Sequence, residues 1–120
     1  NDVSMVIGSC NVLGDKAQQW LGDALVLTGC EISVNTTPAI QRSPIKHIHK
    51  LNEEVYVVIA GNGAFEVDGE EFPIQEGSFV RVAPAGVRAI HAGDAGLVYL
   101  CIQAQAGSLT HKTMDDGELV

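Results

Sequence analysis

Basic residues are scarce in this 120-residue chain: seven Lys and Arg stand against fifteen Asp and Glu, a formal charge of −8. A nucleic-acid binder needs a basic face for phosphates, and so does a protein that docks on anionic lipid, so both partners are excluded. No apolar run reaches the roughly 18 residues of a spanning helix. Asn1 to Cys10 show neither a basic start nor a long apolar stretch, so no signal peptide is expected. Cysteine is represented by Cys10, Cys30 and Cys101 alone, widely spaced and without a C-x-x-C pair. That excludes a thiolate zinc site and reads as small buried hydrophobes in a reducing compartment, hence a cytoplasmic protein. There is no G-x-S-x-G elbow, no cysteine beside a histidine and no Gly-rich phosphate loop, so nucleophilic catalysis and nucleotide binding find no support.

What is present is a globular composition, 46% hydrophobic and 18% charged, at a length that makes one domain. Apolar residues come in short blocks rich in Val and Ile: Ala24–Leu27, Val55–Ala60, Phe79–Ala83 and Leu97–Ile102. Between them stand turn signals at Gly61-Asn62-Gly63, Asp68-Gly69, Glu76-Gly77, Pro84-Ala85-Gly86 and Gly93-Asp94-Ala95-Gly96. Short strands punctuated every 8–12 residues predict an antiparallel sandwich or barrel. Asp68-Gly69 predicts a two-residue hairpin, and Pro73 an edge strand or strand end. Helix signals are confined to a short turn through Lys16–Leu21 capped by Asp15, and the tail from Ala106 to Val120 is polar.

Two histidines stand together as His47-Ile48-His49. In an extended segment residues i and i+2 face the same side, so both imidazoles would share one face. If the chain reverses through Lys50-Leu51-Asn52, Glu54 returns beside them. Two neutral imidazoles and a carboxylate suit Zn, Fe, Mn or Ni. The competing reading is a pair of exposed histidines on a strand edge.

The run from His47 to Gly61 resembles the first motif of the cupin family, G-x5-H-x-H-x(3 or 4)-E-x6-G, with Glu54 in the place of the metal-binding glutamate. Gln41 stands where the opening glycine would fall. The second motif, G-x5-P-x-G-x2-H-x3-N, is present in part, with one residue too many between Gly77 and Pro84. Anchored on Pro84-x-Gly86, its histidine becomes Ala89; anchored on Gly77, it becomes Arg88. The closing Asn is Gly93 or Ala92. His91, two residues beyond Ala89, is either a displaced fourth ligand or a loop histidine. The resemblance covers roughly residues 27–103. It implies an all-β, double-stranded β-helix or jelly-roll barrel with a pocket in its mouth, a divalent metal and a homodimer.

Arg42, Lys46, Lys50, Arg81 and Arg88 lie in or beside the two motifs, while Glu66, Asp68, Glu70, Glu71 and Glu76 hold much of the acid. Such asymmetry would focus an anionic small molecule toward the mouth. Lys46 and Lys50 alternate out of phase with the histidines and are expected to point outward. Arg88 is the substrate-binding candidate, because its guanidinium grips carboxylate or phosphate in a fork. Tyr56 shares strand parity with Glu54, so it either lines the pocket or packs in the core; Glu54 and Tyr56 are the candidates for handling protons. Asn35, Cys101 and Gln103 are further candidates for facing the cavity. Two functions follow: a metal-dependent isomerase, lyase or dioxygenase, or a non-catalytic module that binds or senses a small metabolite.

Overall fold

The computed structural model describes residues 5–7 and 17–120. Cys10, Asp15 and Lys16 lie outside the described residues. Six strands carry the fold: β1 (Gln18–Trp20), β2 (Glu31–Thr37), β3 (Asn52–Val67), β4 (Glu70–Gln75), β5 (Phe79–Val82) and β6 (Arg88–Gln105). One 3₁₀ turn, Thr113–Asp115, follows in the exposed tail. All pairings are antiparallel, in the order β1-β2-β6-β3-β4, with β5 also on β3.

β3 has 16 residues and β6 has 18, far beyond the usual strand of about 5–6. Each bends and serves in two sheets. The first half of β3 lies between β5 and the second half of β6; its second half lies between β4 and the start of β6. The bend falls at two register shifts, between Val58 and Ala60 and between Gly61 and Gly63. Here β3 and β6 approach too closely for side chains. A Cβ on Gly61, whose φ is +89°, would collide with the Gly96 carbonyl, and one on Gly63 with the His91 carbonyl. Asn62 clamps the bend, donating to Asp94 Oδ1 at 2.7 Å and accepting from the Ala95 N–H at 3.0 Å. Gly61-Asn62-Gly63 and Gly93–Gly96, expected as turns between separate strands, are therefore corners inside two continuous ones.

The corner folds the two sheets face to face. Tyr56, Val58, Phe65, Ile74, Val82, Ala92, Leu97 and Cys101 form one core, and the Tyr56 and Phe65 rings meet at 4.7 Å. These belong to opposite halves of β3, so the packing closes a barrel. Along the first half of β3, Glu54, Tyr56 and Val58 point inward while Ile59 is exposed.

Asp68 and Gly69 both take positive φ and join β3 to β4 as a tight hairpin, as their sequence requires. Pro73 sits on β4, an edge strand that tolerates a missing N–H. Two local expectations fail. Gln18–Trp20 is a strand rather than part of a capped helical turn, because it finds β2 as a partner. Residues 24–26 form a turn in place of a strand, with Val26 at φ 55°.

Candidate metal centre

His47 and His49 sit on a segment, residues 41–49, that runs beside the start of β6 with a bend at Pro44. The His47 N–H donates to the Arg88 carbonyl at 3.1 Å and the Arg88 N–H returns the bond at 3.0 Å; the His49 N–H donates to the Pro84 carbonyl at 2.9 Å. These anchors turn the two rings toward each other, with centroids 5.2 Å apart and planes at 83°. Glu54, on β3 opposite Val82 and Gln103, points into the barrel and is 3% exposed. Its carboxylate lies 3.6 Å from His47 Nε2 and 3.1 Å from His49 Nε2. Donor atoms of the three residues all fall within 4.8 Å of one another.

Glu54 is a buried charge, which is expensive unless compensated. Tyr56 donates its hydroxyl to Oε1 at 2.7 Å and Arg88 donates Nη1 to the same oxygen at 2.9 Å. Cys101 offers its weak S–H donor to Oε2 at 3.2 Å. Burial works to raise the Glu54 pKa, but the bonds from Tyr56 and Cys101, the His49 imidazole and Arg88 together bring it below the ordinary carboxylate value. Burial first, then the negative neighbours, push the Tyr56 and Cys101 pKa values upward, so both stay protonated as donors.

Oε1 thus holds two strong donors, while Oε2 holds only the weak Cys101 S–H and has a lone pair for another partner. His49 Nε2 is near Oε2 but misaligned, and it is a buried nitrogen without a hydrogen bond. Such an orphan is unusual in a folded interior. An imidazole nitrogen held in this way beside a second imidazole and a half-free carboxylate suits a divalent transition ion, so the residues present fit the metal that the sequence motif implies.

A cavity of about 230 Å³ opens over these groups, lined by Gln18, Trp20, Ser33, Asn35, Ser43, Ile45, His47, His49, Glu54, Tyr56, Ala89, Ile90, Tyr99, Cys101 and Gln103. Asn35, Cys101, Gln103 and Tyr56 therefore do face it. Tyr56 combines both roles weighed for it, being 5% exposed in the core with its hydroxyl spent on Glu54.

Two expected site residues stand elsewhere. Arg88 is absent from the cavity lining and fully buried. Beyond Glu54, it donates to the carbonyls of Gly86, Ala83 and Pro84. Four donors spent on internal acceptors leave no fork for a substrate, so its role is to compensate Glu54. His91 is no fourth ligand of this cluster. Its Nε2 lies 3.0 Å from Glu66 Oε1, and its Nδ1 accepts the Ser43 N–H at 3.1 Å. The residue that lines the cavity where the motif puts its third imidazole is Ala89. Three of the other basic residues near the motifs are also matched locally: Arg42 with Glu71, Lys46 with Glu66 and Arg81 with Glu53. Lys46 does extend outward, half exposed. The polar rim from β1 and β2, including Gln18 and Ser33, escaped the sequence reading. β1 carries no alternating apolar pattern to mark it as a strand.

Comparison with known proteins agrees with this architecture. The sequence model of the cupin domain matches residues 36–103. The crystal structure of a cupin protein from Bacteroides fragilis is 40% identical, with a TM-score of 0.91, and the match covers 99% of each chain. A Cupin 2 conserved barrel domain protein from Salinispora arenicola is 17% identical over 87% of this chain and 92% of that one, with a TM-score of 0.72. A predicted oxalate decarboxylase from Thermotoga maritima is 21% identical over 62% and 64%, with a TM-score of 0.57. The last two show likeness of fold alone. No curated protein matches the chain. With the family's first motif at residues 47–61, a bent barrel around it, the cupin domain model matched over residues 36–103 and a 40% identical cupin protein covering 99% of its length, the chain belongs to the cupin family.

Proposed function

We propose that this protein holds a divalent transition-metal ion through His47, His49 and Glu54 and receives a small anionic metabolite in the barrel mouth. The observation that carries the reading is the buried, unpartnered His49 Nε2 beside Glu54 Oε2. A bound divalent ion supplies Lewis acidity to an oxygen of the ligand. Tyr56, Arg88 and Cys101 keep Glu54 ionised and occupy its other acceptor positions. Arg88 already offsets the Glu54 charge, so the positive charge of a bound ion would be left to attract an anionic oxygen in the cavity without a free arginine. Gln18, Ser33, Asn35 and Gln103 add neutral polar groups to the cavity lining. A volume of about 230 Å³ lies below the roughly 300–1,000 Å³ of drug-sized sites, which restricts the ligand to a small molecule.

A second reading is a binding or sensor module with a weakened metal site. Ala89 in place of a third imidazole favours it, and so does Tyr56, whose hydroxyl is tied to Glu54 rather than offered to a ligand. Zinc titration with elemental analysis separates the two. The first reading expects stoichiometric metal and micromolar or tighter zinc binding, abolished by His49→Ala and unchanged by Lys50→Ala. Absence of metal uptake by the unaltered protein would hand the site to the second reading.

We also propose that two copies associate. Phe72 on β4 is 50% exposed and Phe79 on β5 is 72% exposed, and they flank an apolar cleft with Phe65, Ile74 and Val80.

A further inference from the structure

We propose that His91 is a positioning residue of the metal centre, a latch that holds the segment bearing His47 and His49 against the barrel; this rests on the metal-binding reading above. Glu66, Glu71 and His91 bring donor atoms within 4.8 Å of one another, yet both Glu66 oxygens, both His91 nitrogens and Glu71 Oε1 already have partners in the protein. Lys46 Nζ takes Glu66 Oε2 at 2.6 Å, Arg42 takes Glu71 Oε1 at 2.6 Å, and His91 Nδ1 is spent on the Ser43 N–H. The cluster has the chemistry of a clamp instead of an ion site.

Its logic lies in the imidazole. Since Ser43 N–H donates to Nδ1, that nitrogen carries no proton, and Nε2–H donates to Glu66. The ring is one neutral tautomer, fixed by its two partners. It is 4% exposed and ties β6 both to β3, through Glu66, and to the loop, through Ser43. Lys46 pulls the Glu66 pKa below its ordinary value, with His91 adding to the effect, so the clamp's carboxylate stays charged.

The loop transmits this hold to the site. Gln41 is bonded to Ala92, and His47 to Arg88. Between those anchors Ser43 makes a compact turn, its Oγ donating to the Ile45 carbonyl at 3.0 Å and accepting the Ile45 N–H at 3.3 Å. Fixing Ser43 therefore fixes the turn that leads into His47. Ser43 and Ile45 also line the cavity wall, so the latch shapes the space beside the ligands.

Isosteres test this. Asn places its carbonyl near where Nδ1 stands and keeps the Ser43 bond; Gln places its amide near Nε2 and keeps only the Glu66 bond. Zinc titration of His91→Asn should resemble the unaltered protein, while His91→Gln and His91→Ala should weaken affinity about tenfold or more, the scale of ligand-orienting contacts. The visible spectrum of the cobalt-loaded protein should be the same in His91→Asn as in the original; a changed spectrum would make His91 a ligand and overturn the proposal. Equal affinities for the Asn and Gln variants would also overturn it, and that pair decides if His91→Ala does not fold. Hydrogen exchange at the His47 amide, measured without metal, should quicken in His91→Gln and not in His91→Asn. Should the protein take up no zinc at all, the metal reading fails, and this exchange difference alone decides the latch.

Discussion

Glu54 collects the side-chain chemistry of this protein. Four groups converge on it from three stretches of chain: Tyr56 from β3, Arg88 and Cys101 from β6, and His49 from the loop. Here Ala89 leaves the third imidazole out and Arg88 brings a positive charge to the same carboxylate from behind. The missing ligand can be restored. Ala89 is 4% exposed yet lines the cavity, so the open volume lies where a larger side chain would extend. Ala89→His should tighten zinc binding by tenfold or more, equivalent to about 1.4 kcal/mol, as read by calorimetry. Unchanged affinity would show that position 89 does not reach the ion.

At the scale of elements, the two long strands place Glu54 and give the His47–His49 segment the edge it is held against. Their corner brings Phe65 under Tyr56 and closes the barrel over Glu54. The glycines there are constrained by close approach, whereas Gly69 in the hairpin needs only its positive φ: a Cβ on Gly69 meets nothing within 4 Å. Both positions take φ near +90°, where a side chain costs roughly 1–2 kcal/mol. Gly69→Ala should lose about that much stability in denaturant melts. Gly61→Ala must also push back the Gly96 backbone, so it should lose clearly more and weaken metal binding in parallel. Equal losses at the two positions would argue that the corner is pliable.

At the scale of the whole molecule, buried titratable groups set a pH window for stability. Glu54 and Glu66 have lowered pKa values. Their contribution is complete above the ordinary carboxylate value of 4.5 and disappears as the pH falls through the lower folded values, since the unfolded chain then binds more protons. Cys101 and Tyr56 have raised pKa values, and Tyr99 is pushed up to about 12, chiefly by burial. The unfolded chain releases these protons first, from about pH 9 for the thiol and pH 10 for the phenols, so stability falls again on the alkaline side. Thermal melts from pH 3 to pH 11 should trace this dome. Replacing Cys101 with Ala should flatten the start of its alkaline edge. For assembly, the exposed Phe72 and Phe79 and the bare Ile59 predict a dimer, with twice the 12.7 kDa chain mass by sedimentation. Phe79→Ser should shift that mass toward the monomer.

Strand content, the Asp68-Gly69 hairpin, the edge role of Pro73 and the shared face expected for His47 and His49 follow from local rules: period-two alternation, positive φ at a tight turn, a missing N–H; the place of Glu54 beside the histidines comes from the family motif. The chain carries those rules in neighbouring residues, so they are readable without a structure. Arg88, Ala89 and His91 were not separable in that way. They are within four positions of one another, and their roles depend on which partners 25 to 48 residues distant arrive opposite them: Glu54, the cavity, and Glu66 with Ser43. Likewise, glycines at a corner and glycines at a turn look identical in sequence. Only the close packing of two bent strands distinguishes them, because a steric limit between distant backbones leaves no mark on either segment alone.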